Sequence, residues 1–404
     1  MRDGGSKDDS ESPLDDTAGD RGRPRRLRGF REHRLAVSAA AFLVLAAGVT
    51  IPLVLNGSDD SAEACHEVTA LTRALLGKPE EATAALDPGD GLARIGSARK
   101  LLRHSSLCGD GAEVLGRVVD AATASPAPGR PHTEAQARAA YAVAAAVNDL
   151  ELPKGLAPGL ARMVAEYVVD AGEYRKWGGD RVPGPAVSWK EARPSNEGWS
   201  RYGGFLAPGE AHTAFGYTDN SPGPHPDIDS LVEELSKDPE AFAILYDAER
   251  AQFAHHLERF TDSGESPDYR PPARPDSLSK PTNGPDGDVQ DAADHIGSLM
   301  KHRVRHVMDG TIPDLAAFDR SVRRHTRGTF RPAEKQLNSR PVMGDIADRP
   351  VSEPVEGDLT DGRHQLFNVL DGWAKDRDVP ARRAAAMKQL VDDAYVRALW
   401  LRVA

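Results

Sequence analysis

The sequence predicts a mainly α protein, with a single N-terminal transmembrane helix followed by an α-helical extracytoplasmic domain carrying long irregular loops. Three observations lead there. The run Leu35 to Leu55 is apolar and uncharged. Apolar residues beyond it recur at helical spacing of three and four. Strand-type alternation is scarce, and β-branched clusters are short.

Residues 1–34 are polar, charge-rich and punctuated by Gly and Pro, the composition of a disordered tail. Arg21, Arg23, Arg25, Arg26, Arg28, Arg31 and Arg34 crowd its end, opposed by Glu32 alone. That basic end suits anionic lipid headgroups, at about 1 kcal/mol per Lys or Arg near the surface.

Residues 35–55 form the span. At about 1.5 Å per residue a helix of this length crosses the ~30 Å hydrocarbon core. Basic residues precede it, and Asp59, Asp60 and Glu63 follow it. Basic flanks stay in the cytoplasm, so the N-terminus is expected inside and the C-terminal bulk outside, in the cell membrane as a single-pass protein. Ala62-Glu63-Ala64 ahead of Cys65 resembles a cleavage site, but the run exceeds the ~7–15 residues of a signal core.

About 350 residues then lie outside, enough for one large or two ordinary domains. The chain carries −11 overall and the tail close to +1, so the exterior part is acidic and nucleic acid is not an expected partner. Arginine far outnumbers lysine, the usage of a GC-rich bacterial genome. The two cysteines, Cys65 and Cys108, both fall on the oxidising side and lack CxxC spacing, so they are expected to form a structural disulfide.

The exterior divides into a helical region 56–177, an aromatic-rich loop 178–226 and a second helical region 227–404. Helices are expected over His66–Leu76, Gly91–Leu107 and Ala112–Ala124. Thr133 with Gln136 reads as a capping box before an Ala-rich helix ending near Leu150. Leu160, Met163, Val164, Tyr167 and Val168 mark the next helix. Ser230 with Glu233 opens a long helix through Phe260, and 261–288 reads as a Pro-rich linker. Further helices follow over Val289–Asp309, Leu315–Arg324, Leu359–Ala374 and Pro380–Val403.

Three side-chain patterns are candidates for chemistry. His295, His302 and His306 share one flank of helix 289–309, at a spacing that lets imidazoles reach one metal, with zinc the ion such ligands would take. His255 or His256 could add a ligand. The competing reading is a solvated polar flank, because Lys301, Arg303 and Arg305 surround the histidines. Trp177, Trp189, Trp199 and Tyr202 are rigid aromatic faces in the 178–226 region and its border, suited to binding a cell-envelope protein or glycan, or to burying the loop itself. Glu166, Asp170 and Glu173 form a carboxylate stripe, of the kind that helix surfaces carry routinely. No P-loop, GxGxxG, HExxH or GxSxG occurs. The expected function is therefore a membrane-anchored envelope protein that binds, scaffolds or senses through its exterior helices. An extracytoplasmic hydrolase, metal-dependent through the histidines, is the alternative.

Overall fold

A computed structural model describes residues 65–125, 130–174, 183–192, 209–218, 225–258, 285–326 and 363–400. The tail 1–34 and the apolar run 35–55 lie outside the described residues. Among the described residues no helix is long and apolar enough to cross a membrane.

The protein is mainly helical, as the periodicity predicts. Helices α1 (Ala70–Ala74), α2 (Pro79–Leu86), α3 (Ile95–Leu102), α4 (Gly111–Thr123) and α5 (Glu134–Val147) form the first part. α6 (Ala157–Glu166) and α7 (Val168–Tyr174) follow, separated by a kink at Tyr167, where φ is −110° and ψ 34°. Next come strand β1 (Ala186–Val187), the short helix α8 (Trp189–Ala192) and strand β2 (His212–Thr213). Helices α9 (Ile228–Leu235), α10 (Pro239–Glu258), α11 (Pro285–Met308), α12 (Leu315–His325), α13 (Arg363–Asp376) and α14 (Ala381–Trp400) complete it.

Local chemistry sets the helix ends. The Thr133 hydroxyl accepts from Gln136 N, and the Gln136 side chain accepts from Thr133 N at 2.9 Å, which is the predicted capping box. The long helix expected from Ser230 is two helices instead. Asp227 caps α9, accepting from Ser230 N at 3.0 Å. Pro239 then has no N–H to continue α9, and Asp238 caps α10 by accepting from Glu240 N and Ala241 N. The helices expected over 66–76 and 91–107 shorten to α1 with a 3₁₀ turn at Leu75–Gly77, and to α3. Both lose residues next to the Cys65–Cys108 disulfide, where His66 N donates to Ser106 O and Cys108 N to His66 O. The backbone there pairs across the bridge rather than along a helix.

One hydrophobic cluster runs from Ala82 in α2 to Tyr395 in α14, so both predicted helical regions share a core. The described residues all fall in one compact unit. Two crossings explain the choice of small residues. A Cβ on Gly159 of α6 would overlap the Gly116 backbone of α4, and one on Gly297 of α11 would fall 2.7 Å from Tyr395 O. The helices therefore touch backbone to backbone, which only glycine permits. Ala-rich α5 is buried along its length for a related reason, since methyl-sized side chains let neighbours close in on every side.

Candidate functional site

Helix α6–α7 is buried on two opposite faces, and each face builds something different. At about 100° per residue Glu166 and Asp170 fall together, while Val164, Ala165, Val168, Ala171 and Gly172 cluster on the far side.

The first face carries a ladder of buried charge. Glu210 and His212 stand two apart on the chain entering β2, a rise of roughly 6.7 Å in extended backbone. Glu166 and Asp170 stand four apart on the helix, a rise of about 6 Å. The two spacings match, so the pairs meet rung against rung. In one rung His132 is sandwiched: its Nδ1 donates to Glu210 Oε1 at 2.5 Å and its Nε2 to Glu166 Oε2 at 3.1 Å. Glu210 Oε2 also accepts from His132 N at 3.2 Å. In the other rung Asp170 accepts from His212 Nδ1 and from Thr213 N, the latter at 2.8 Å. The His132 ring packs on Tyr167 at 4.7 Å between centroids, and the Tyr167 hydroxyl donates to Thr123 O.

Burial pushes the His132 imidazole toward its neutral form. The adjacent Glu210 charge and the hydrogen bonds His132 donates to Glu166 and Glu210 outweigh it and raise the pKa to about 9. His132 is thus a fully buried imidazolium held between two acids. The carboxylate stripe read as a helix surface is interior at both described positions, with Glu166 and Asp170 each 7% exposed. The Glu173 side chain lies outside the described residues. Sequence reasoning did not join His132, Glu210 and His212 to it. The one available signal was the two-residue spacing of Glu210 and His212 against the four-residue spacing of Glu166 and Asp170.

The second face lines a small crevice, partly open to solvent, between α6–α7, α9, α10 and α11. Its walls are apolar, including Val168, Ile228, Leu245 and Leu299, and its polar residues are Glu249 of α10 and His295 of α11. His295 Nδ1 donates to Glu249 Oε2 at 3.3 Å. The imidazole lies against Gly172, with Nδ1 and Nε2 each 3.3 Å from where a Cβ on that residue would stand and Cε1 closer still. Any side chain at 172 would occupy the ring's place.

The structure places the predicted metal ligands on one flank of α11 without bringing them to a common point. His295 faces Glu249. Two turns on, His302 Nδ1 lies 3.6 Å from Glu233 Oε2. His306 Nε2 donates to Glu233 O at 2.8 Å. Among the described residues no group of three or more His, Cys, Asp or Glu side chains is arranged to hold a metal ion. The solvated-flank alternative is corrected as well: His302 and His306 are 4% and 2% exposed. Arg303, read as part of the surrounding positive surface, is buried in a two-bond pair with Asp319. His256 accepts from Gln252 Nε2 at 2.7 Å, and the His255 side chain lies outside the described residues.

Of the aromatic-loop residues, Trp177, Trp199 and Tyr202 lie outside the described residues. Trp189 starts α8 and packs on Val187 and Ala192. Phe215 is buried in the main core, and the Tyr141 hydroxyl donates to Tyr217 O at 2.8 Å. Phe215 and Tyr217 thus fasten this stretch to the helices, while Trp189 packs within the stretch itself. No protein-family model, curated protein or solved structure matches this chain.

Proposed function

We propose that this chain is a single-pass membrane protein of the cell envelope, with residues 1–34 in the cytoplasm and a helical body outside that works by binding, scaffolding or sensing. The Cys65–Cys108 disulfide carries the reading. A structural bridge persists in an oxidising compartment, and this one begins ten residues beyond the apolar run Leu35–Leu55. The charge asymmetry about that run supports the same orientation. The partners in this reading are membrane lipids, through the run and the basic tail, and an envelope protein or glycan at the body.

An extracytoplasmic hydrolase is the second reading, and the Glu249–His295 pair favours it, since a carboxylate-oriented imidazole is the base–orienter arrangement of many hydrolases. No Ser, Thr or Cys lines that crevice. A zinc-dependent form would require His295, His302 and His306 to leave their present partners.

Paired fusions at Ala404 test the leading reading. An alkaline phosphatase fusion should be active and a green fluorescent protein fusion dark, with the intact chain in the membrane fraction. The reverse pattern, or the chain free in the cytosol, overturns it. Free thiols at both cysteines in protein taken directly from cells would remove its main support.

A further inference from the structure

We propose that the stacked imidazoles of His66 and His104 form an acid-sensitive clasp at the edge closed by the Cys65–Cys108 bridge. A proton on both rings parts them, opens the backbone pairing at His66 and frees residues 66–68 from 104–107, while the disulfide keeps the two segments tethered. The clasp is a property of this edge alone and is independent of which side of a membrane the body occupies. Failure of the topology fusions leaves it standing, and its own failure leaves the anchor reading untouched.

Three observations carry it. First, the rings lie face to face, 3.8 Å between centroids and 8° from parallel. At that separation a second positive charge sits in direct contact with the first, and like charges so close repel strongly. Histidine is the side chain whose charge changes between pH 5 and 8. His66 is exposed and His104 half-buried, so solvent protons reach the pair. Second, nothing nearby offsets that charge. Among the described residues neither ring pairs with a carboxylate. The charged side chains of the segments that meet here are Glu67, Arg73 of α1, Arg99, Lys100 and Arg103 at the end of α3, and Asp110 before α4. Arg73 and Asp110 hold each other through two hydrogen bonds, at 3.0 and 2.6 Å, and Glu67 acts on Arg73. Burial and the His66 charge hold His104 below its ordinary value, against a hydrogen bond to the Leu101 backbone. Third, His66 also pairs the two backbones. His66 N donates to Ser106 O at 2.9 Å and Cys108 N to His66 O at 3.0 Å, a parallel bridge of His66 with Leu107. Val68 and Leu107 pack on the main core on either side of it. Rings that separate therefore pull on these two hydrogen bonds. His104 takes its proton less readily with the clasp closed than open, so closure is complete above about pH 6.5 and is lost as pH falls below it.

The test uses the full chain in lipid nanodiscs with the disulfide intact. Backbone amide exchange is read by mass spectrometry at pH 7.5 and pH 5, each rate corrected for the pH dependence of an unstructured peptide. Peptides covering 65–69 and 103–108 should lose about tenfold protection at pH 5, the scale set by like charges in contact near a surface, while α5 keeps its protection. Exchange at the imidazole Cε1–H gives the titration of each histidine, and His66→Phe should raise the His104 midpoint by removing the opposing charge while leaving a ring to stack on. The same variant should hold its protection at pH 5. Equal protection at the two pH values overturns the proposal, as does an equal loss in α5, which would mean general acid unfolding. A His104 midpoint unmoved by His66→Phe, or an acid response that survives in the variant, overturns it too. Should His66→Phe fail to fold, His104→Phe carries the same amide comparison.

Discussion

The His295 imidazole rests directly on Gly172, in space that no other residue at position 172 could leave open. The contact joins α7 to α11 and holds the ring where Glu249 can reach it. Gly172→Ala should therefore displace the ring rather than unfold the protein. Alanine gains about 1 kcal/mol of helix propensity over glycine, and the obstacle is the end of a side chain that can rotate away. The expected result is a stability change under about 1 kcal/mol, with the NMR signal of the His295 Cε1–H moved and its response to Glu249→Gln abolished. Unchanged His295 signals would refute the contact.

Gly159→Ala should behave in the opposite way. The added methyl meets the Gly116 backbone, which cannot rotate aside. Helices α4 and α6 must separate, at a cost of about 1–3 kcal/mol beyond the propensity gain. Chemical denaturation would show a lower midpoint with an unaltered slope. A variant as stable as the parent would mean the helices are not in backbone contact.

His132 sets a pH dependence whose sign follows from its raised pKa. The group binds its proton more tightly when folded than when unfolded, at about 9 against an ordinary value near 6.5. Its stabilising contribution is therefore complete below about pH 6.5 and is lost as pH rises toward 9. The loss is of order 3 kcal/mol. Unfolding free energy measured from pH 6 to 9.5 should fall across that window, and Glu210→Gln should flatten the slope. A curve that rises with pH through the window would contradict the ion-paired imidazolium.

Removing the imidazole altogether should be worse than titrating it. His132→Ala leaves Glu166 and Glu210 facing each other in the interior without their shared donor, a loss of roughly 3–5 kcal/mol. The double variant with Glu210→Gln should recover part of it. Denaturant midpoints of the two single variants and the double variant form the cycle, and strict additivity would deny that the residues act together.

The Cys65–Cys108 bridge spans a sequence separation of 43 residues. The chain-entropy relation gives about 4 kcal/mol for a loop of that length. Reduction, or Cys65→Ser with Cys108→Ser, should lower the denaturant midpoint by a corresponding amount. Loosening should begin at the edge around α1 and α3, seen as faster amide exchange there than in α5.

What the sequence determined by itself was local. Helical periodicity, the Thr133–Gln136 capping box and a cysteine pair without CxxC spacing were all legible, because interactions between residues three or four apart, or the plain count of thiols, decide them. The division of 228–258 is hidden by an apolar stripe that continues across Pro239, although the missing N–H of that proline is what ends α9. Glu166 and Asp170 were visible as a stripe, but spacing along one helix does not tell whether solvent or another element faces it. Only the tertiary structure decided that α6–α7 is buried on both sides. It alone brought His132 and Glu210, 78 residues apart, into one hydrogen bond, and set His295 against Glu249 and Gly172. Local pattern carries at most the matched spacings of Glu210 and His212 and of Glu166 and Asp170, and does not say that they meet, since the energy of such pairs comes from removing charge and apolar surface from water together, and that happens only once distant segments have packed.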